Sequence, residues 1–462
     1  MSAATYLISD LHLGPGRNPA TGSWDALEDF TADAALSAFL DQISVAAGTS
    51  PIELIIAGDF IDYPQILPEL AFTSPRNARG TTEAESIERT RVVLGQLPER
   101  NSGHPLVFAR LRQFMADGHS ITILVGNHDI DLLWPGVWAL IYAAIYPPGA
   151  AGTLRREAYS YTVGNAERGR VYIEHGHERD PENCFGERMS QPFGDDGRGM
   201  MRLKRCYGTL FVDKIYNQLE GERWFIDNVK PISKIIGLGL KNDLFYTGGA
   251  LALIIKFFFT AGLPPKQLST VLDDAETWPQ GQRTPNALLG AVKDDDLRAY
   301  VEQRLTDPQV RAEFGAEIAR FDEQDWREMR AGAPRQPSVE TIADDKPRSV
   351  LLAAEEEDYY RAGAREVLAL DPGITTVIMG HTHAAIDGLT SPIYLAGSRT
   401  GYYFNSGTWT PHLRARPGRG YSWAEIADPN NYTSSFTYLE LVPNDAGEYR
   451  VELHNWAAEQ PG

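Results

Sequence analysis

The sequence predicts an α/β fold carrying a large, mainly helical insertion, and three observations lead there. Short apolar runs, each stopping at a cluster of Asp, His or Asn, alternate with segments of helical spacing through residue 180. Across residues 181–355 the pattern changes to helix-like segments separated by polar, Pro-rich breaks. From residue 356 onward helix and strand alternate again, so the α/β core is expected in two parts, 1–180 and 356–462, interrupted by the insertion. No repeat of solenoid length is visible.

In chain order, Tyr6 to Ser9 reads as a strand ending at Asp10-Leu11-His12. Alternation along an extended chain would put Asp10 and His12 on one side, with Leu11 pointing into the core. Leu36, Phe39, Leu40 and Ile43 mark a helix from about Asp33 to Val45, and Glu53 to Ala57 is a second strand, ending at Gly58-Asp59-Phe60-Ile61-Asp62. Residues Pro64 to Arg100 form a surface excursion with one helix, Glu83 to Leu94. Pro105 to Asp117 is a helix whose buried side is expected at Leu106, Ala109, Leu111 and Phe114, with Gly118 closing it. A third strand, Ile121 to Val125, leads into Gly126-Asn127-His128-Asp129, and a helix follows from Trp138 to Tyr146. Tyr159 to Val163 and Arg170 to Glu174 read as a hairpin ending at His175-Gly176-His177.

Within the insertion, helical segments are expected at Arg202 to Leu219, Trp224 to Leu238, Gly249 to Thr260 and Asp295 to Met329, with almost no strand pattern. Then come a helix from Asp358 to Leu370, a strand from Thr375 to Met379, and Gly380-His381-Thr382-His383. Ser391 to Leu395, Gly401 to Asn405, Ser435 to Leu441 and Tyr449 to His454 are expected as antiparallel strands.

Composition excludes several classes. With 43% hydrophobic and 23% charged residues among 462, wholesale disorder and a polytopic membrane protein are both disfavoured. A net charge of -19 disfavours a nucleic-acid partner, since a phosphate polymer is met by a basic face. Cys184 and Cys206 are too few for a disulfide framework and read as inert core thiols. The N-terminus enters a strand with no secretory signal, so a cytoplasmic location is expected. The longest apolar run, Ala250 to Thr260, contains Lys256 and falls short of the roughly 20 residues a spanning helix needs, leaving a buried helix or peripheral membrane contact. Arg198, Arg202, Lys204 and Arg205 read as an exposed helix face, with attraction of an anionic substrate or membrane surface as the alternative.

The polar residues at strand ends form one set: Asp10, His12, Asp59, Asn127, His128, His175, His381 and His383. Five separate apolar strands ending in metal-ligand residue types, in a chain with ten histidines, imply a single site. Imidazole, carboxylate and amide without thiolate suit Mn²⁺, Fe²⁺ or Zn²⁺. Seven ligands are too many for one tetrahedral ion and suit two ions about 3.5–4 Å apart, with a carboxylate between them to offset their repulsion.

In order and in residue type, the five motifs Asp10-Leu11-His12, Gly58-Asp59-Phe60-Ile61-Asp62, Gly126-Asn127-His128-Asp129, His175-Gly176-His177 and Gly380-His381-Thr382-His383 resemble the calcineurin-like metallophosphoesterase superfamily. The resemblance covers about residues 1–180 and 362–405. It implies a four-layer α/β/β/α sandwich and a two-metal site in which Asp10, His12 and His383 hold one ion, Asn127, His175 and His381 the other, and Asp59 bridges them. It also implies that His128, oriented by Asp129, protonates the leaving oxygen or stabilises the transition state, while a metal-bridging hydroxide attacks phosphorus in line. Asp62 is expected as an acceptor behind the ligands, and His177 as structural or substrate-facing.

The activity so implied is hydrolysis of a phosphodiester or pyrophosphate. The alternatives are a phosphomonoesterase or protein phosphatase, and a non-catalytic, metal-stabilised protein-binding scaffold. A helical insertion at this place also resembles that of UDP-2,3-diacylglucosamine hydrolases, which commonly have arginine at the position of His128 and a shorter insertion. A nucleotide- or lipid-linked phosphoester is the substrate class this suggests, with the apolar residues of the insertion expected as the core of a helical subdomain or, alternatively, as a lid over the site.

Overall fold

The computed structural model describes residues 4–67, 80–165, 169–180, 183–196, 199–220, 351–413, 422–444 and 448–459, together with residue 308. In chain order the strands are β1 (Thr5–Ile8), β2 (Glu53–Ala57), β3 (Ser120–Leu124), β4 (Leu154–Glu157), β5 (Ser160–Asn165), β6 (Gly169–Glu174), β7 (Phe193–Asp195), β8 (Met201–Leu203), β9 (Ile374–Met379), β10 (Ile393–Tyr394), β11 (Thr400–Asn405), β12 (His412–Leu413), β13 (Tyr432–Thr433), β14 (Thr437–Pro443) and β15 (Tyr449–Asn455). The helices used below are α1 (Asp33–Ala47), α2 (Glu83–Val93), α3 (Pro105–Ala116), α4 (Pro135–Ile145), α5 (Tyr207–Phe211) and α6 (Leu351–Leu370). The chain is a mixed α/β protein with two main sheets, ordered β15-β14-β1-β2-β3-β4 and β10-β11-β9-β6-β5. Strands β1 to β4 run parallel, and so do β6, β9 and β11, while β14 and β15 close one edge antiparallel.

The continuous apolar character of β1 to β3 follows from burial on both faces. Tyr6, Ile8, Leu54, Ile56, Ile121 and Ile123 pack with Leu36, Phe39, Leu111 and Phe114 of α1 and α3. The alternate residues Leu7, Ile55, Ala57 and Leu124 share a second cluster with Val171 and Ile173 of β6, Ile378 of β9 and Phe404 of β11. On the far face of β9, Val377 and Met379 pack with Tyr360, Ala364 and Leu368 of α6. Period-two alternation thus sends successive side chains of each strand into different cores.

Local signals start helices α2 and α3. Thr82 and Glu85 form a capping box at the start of α2, and Pro105 occupies the first turn of α3. The buried face of α3 differs from expectation. Leu111 and Phe114 are buried as expected, but Leu106 is 49% exposed and Ala109 is exposed, and Val107, Phe108 and Met115 complete the buried stripe.

Strand β11 pairs antiparallel with β10, and β14 with β15, as expected, but β11 has a second neighbour. It runs parallel to β9, because β10 folds back along its far side and lets the chain re-enter in the same direction. That puts the ends of β9 and β11 together.

Some described residues of the 181–355 range pack on the core. Phe185, Leu203 and Cys206 are buried in the cluster that holds Tyr6 and Leu54. Met201–Leu203 pairs antiparallel with Phe193–Asp195, so the expected helix from Arg202 begins only at Tyr207. Arg202 pairs with Glu85, and Arg205 is 7% exposed with Nη1 3.5 Å from Asp131 Oδ2, so these arginines do not line an exposed helix face. Helix α6 begins at Leu351 and crosses the expected boundary at 355/356. The segments expected as helices at 224–238, 249–260 and 295–329, and Arg198, lie outside the described residues. Among the described residues, no helix is long and apolar enough to cross a membrane.

Candidate metal centre

Parallel strands put their carboxyl ends on one edge, where α/β proteins gather polar loops. Beyond β1 and β2 the pairing continues as Asp10 N→Gly58 O at 3.1 Å and His12 N→Asp59 O at 2.9 Å. In the second sheet Gly380 N donates to His175 O at 2.9 Å. Asp10 and His12 do not lie on an extended chain as the sequence suggested. Their φ values are 52° and 51°, and Asp59, His381 and His383 are left-handed as well, at 48°, 68° and 60°. Five ligand candidates thus occupy a backbone region costing about 1–3 kcal/mol each for non-glycine residues, which persists where the surroundings over-determine it. Close approach of the loops also requires Gly126, where a Cβ would lie 2.1 Å from Asp59 Oδ1.

The ligand candidates assemble as two adjoining groups. Asp10, His12 and His383 bring their ligand atoms within 4.8 Å of one another, and so do Asp59, His175 and His381. Asp59 Oδ2 lies between them, 3.7 Å from His12 Nε2 and 3.1 Å from His175 Nε2. His12 Nε2 is 3.1 Å from His383 Nε2, and His383 Nε2 is 3.5 Å from Asp10 Oδ1. The other ring nitrogens are held from behind: His12 Nδ1 by Asp62 Oδ2 at 2.8 Å, His175 Nδ1 by Ala57 O at 2.9 Å and His381 Nε2 by Asp180 Oδ2 at 3.1 Å. Asn127 is 1% exposed.

Two observations show that these residues fit cations. Asn127 Oδ1 and His175 Nε2 are buried polar atoms with no hydrogen-bond partner, and both belong to expected ligand residues. The electrostatics also call for positive charge. Burial depresses the His12 ring, but Asp62, Asp59 and Asp10 outweigh it and lift it to about 9. His175 is likewise lowered by burial and raised by Asp59 and Asp10 to about 10. Burial outweighs Asp180 at His381, which falls to about 4 and is a neutral imidazole with a free lone pair at neutral pH. Imidazoles that give up a proton to a bound ion, together with carboxylates and an amide oxygen, are the donor set of borderline divalent metals.

His128 sits at the rim, its side chain 16% exposed, and its partner differs from expectation. Nδ1 is 2.8 Å from Asp62 Oδ2, so Asp62 serves both His12 and His128. These two imidazoles hold the Asp62 carboxyl well below its ordinary range despite burial. Asp129, expected to orient His128, instead accepts from Gly126 N at 2.6 Å and Phe60 N at 2.8 Å and ties the loop after β3 to the loop after β2. Neighbours in sequence part company once the chain turns, which is why adjacency misled here. Burial and the nearby Asp59 push Asp129 up to about 7. His177 is 2% exposed, edge-on to Phe185, with both ring nitrogens buried and without a hydrogen-bond partner and Nε2 3.5 Å from Glu178 Oε1.

Sequence reasoning missed the loop after β11. Asn405 Nδ2 donates to Gly380 O at 2.7 Å and to Thr382 Oγ1 at 3.1 Å, and Thr408 Oγ1 donates to Asp10 O at 2.8 Å. The strand-end rule that found the other loops also applies to Asn405. Asp180 and Asn183 carry no such signal, since neither ends a strand. Cys206 is fully buried, and burial pushes its thiol up to about 12, consistent with an inert thiol; Cys184 is half-buried. Comparison of the chain with protein-family models gave no match, and comparison with curated proteins gave none.

Proposed function

We propose that this chain is a metal-dependent hydrolase of phosphoester bonds, acting on a phosphodiester or pyrophosphate, with a calcineurin-like metallophosphoesterase core of α/β/β/α layers. The observation that carries the reading is the pair of ligand groups sharing Asp59, with His128 at the exposed rim. Asp10, His12 and His383 would hold one ion, Asn127, His175 and His381 the other, and Asp59 both. Two bound divalent ions would supply Lewis-acid activation of water and neutralise charge on a phosphoryl group. The chain's own contribution is positional. Asp62 accepts at His128 Nδ1, which fixes the orientation of the ring, and in the imidazolium form Nε2–H is the proton offered to the leaving oxygen. The acidic net charge argues for a small phosphoester, nucleotide- or lipid-linked, over a nucleic-acid polymer.

The test is hydrolysis of bis(p-nitrophenyl) phosphate, p-nitrophenyl phosphate and a nucleoside diphosphate sugar by manganese-loaded protein. Turnover of the diester or the diphosphate is expected, with loss in Asp59→Asn. Manganese-loaded protein that hydrolyses none of the three overturns the proposal.

A further inference from the structure

The two halves of the centre are braced by different parts of the chain. Behind the Asp10, His12 and His383 half stands Asp62, on the loop after β2. Behind the other half runs an uninterrupted side-chain relay outside the core motifs. His381 Nε2 is 3.1 Å from Asp180 Oδ2, Asn183 Nδ2 donates to the same Asp180 Oδ2 at 2.6 Å, and Asn127 Nδ2 donates to Asn183 Oδ1 at 3.3 Å. Because a carboxylate only accepts, the relay has one polarity. Asp180 takes the Nε2–H of His381, leaving Nδ1 with the lone pair, and it takes the amide N–H of Asn183. The amide oxygen of Asn183 then faces Asn127 Nδ2, and the Asn127 oxygen, buried and without a hydrogen-bond partner, is the atom left for a cation.

The relay is anchored from α5. Thr209 Oγ1 donates to the main-chain oxygen of Asn127 at 3.1 Å, and the absence of a side chain at Gly208 makes room for Asn183, whose Oδ1 would lie 2.0 Å from a Cβ there.

We infer that Asp180 and Asn183 are positioning residues that set the ligand atoms of His381 and Asn127, so that occupancy of the Asn127, His175 and His381 half is controlled by the segment between β6 and α5 while the Asp10, His12 and His383 half is not. This rests on the two-metal reading above. Partners of this kind behind ligands contribute about 10- to 100-fold to metal affinity.

The experiment is manganese titration of the full chain and of Asp180→Ala, Asn183→Ala, Asp180→Asn and Gly208→Ala, read by metal analysis after gel filtration and by electron paramagnetic resonance, with circular dichroism as the check on folding. Wild type should take two ions and give a spin-coupled pair. Asp180→Ala and Asn183→Ala, folded as wild type, should retain one tightly and bind the second about 10- to 100-fold more weakly, replacing the coupled signal with that of isolated manganese. Asp180→Asn, which keeps an acceptor for His381, should restore most of the loss. Gly208→Ala should reproduce Asn183→Ala through crowding alone. Two tightly bound ions in both alanine variants, or equal weakening of both ions, overturns the inference while the two-metal reading stands. A folded wild type that takes up no manganese overturns both.

Discussion

The two halves of the candidate centre share a carboxylate and differ in how their ligands are held. In the Asp10, His12 and His383 half, two of the three ligands sit in left-handed turns directly after β1, and Asp62, on the loop after β2, fixes the His12 ring. In the Asn127, His175 and His381 half, one imidazole leans on the backbone of β2 through Ala57 O, and the other two ligands lean on Asp180 and Asn183. The first half is built from loops that the sheet pairing brings together. The second needs a segment that comes after the hairpin and before α5. Two adjoining ligand groups can thus be similar in their ligand types and differ in their dependence on the rest of the fold.

Asp59 is where the comparison breaks most completely, because it belongs to both halves. Asp59→Asn should abolish binding of the ion pair and lower hydrolysis by at least about a thousandfold, which corresponds to the several kcal/mol of charge stabilisation at stake. Metal analysis and initial rates check it, and a variant that keeps two ions and full rate would sever Asp59 from the bridge. Removing His128 separates chemistry from metal binding. His128→Ala should lower kcat by about 10²- to 10⁴-fold while leaving both ions in place, measured by steady-state kinetics on metal-counted protein.

Asp62→Ala sharpens the contrast with the relay variants. It should weaken the ion at Asp10, His12 and His383 about 10- to 100-fold and also depress kcat, because the same oxygen atom serves His128. Competitive titration with a chromogenic chelator would test this. Loss of the second ion instead would reverse the assignment of halves.

The smallest effect is a control on both halves, since it should alter neither. His104 is buried between Glu28 and Asp33, with its nitrogens 3.1 and 2.7 Å from their oxygens. Burial lowers its affinity for the proton, but the two carboxylates prevail and raise it to about 9, above the 6.5 of an unfolded histidine. A raised folded-state value means that the stabilisation is complete below pH 6.5 and is lost as pH rises through about 9. Over that window the full effect is on the order of 3 kcal/mol, because each pH unit separating the folded and unfolded values is worth about 1.4 kcal/mol. Wild type should therefore show a falling Tm from pH 6.5 to 9, which His104→Gln flattens with metal stoichiometry unchanged. An identical pH slope in the variant would remove His104 from this role.

Much of the site was legible because strand ends announce themselves. Apolar runs of four to six residues stopping at Asp, Asn or His gave Asp10, Asp59, Asn127, His175, His381 and their neighbours, and parallel pairing makes such ends converge. What was not legible has particular causes. The partner of His128 was expected next to it in sequence, and Asp62 reaches it from 66 residues away because β2 and β3 are adjacent in the sheet. Leu106 was placed on the buried face of α3 because helical period alone leaves the phase of a mostly apolar segment undetermined. The parallel pairing of Thr400–Asn405 with β9, beside its expected antiparallel pairing with β10, was not legible for a similar reason, since strand pattern carries no direction.

The sequence by itself determined the residue types of the centre, the loops that carry them, the α/β class and the likeness of its five motifs to a phosphoesterase. Those are local properties, written in composition, period and spacing. Only the tertiary structure decided which nitrogen of each imidazole faces inward, that Asp129 ties loops together while Asp62 holds His128, and that Asp180 and Asn183 stand behind two ligands. These depend on distances between residues far apart in the chain, and such distances are set by sheet register and by the packing of cores that period-two alternation fills from both sides.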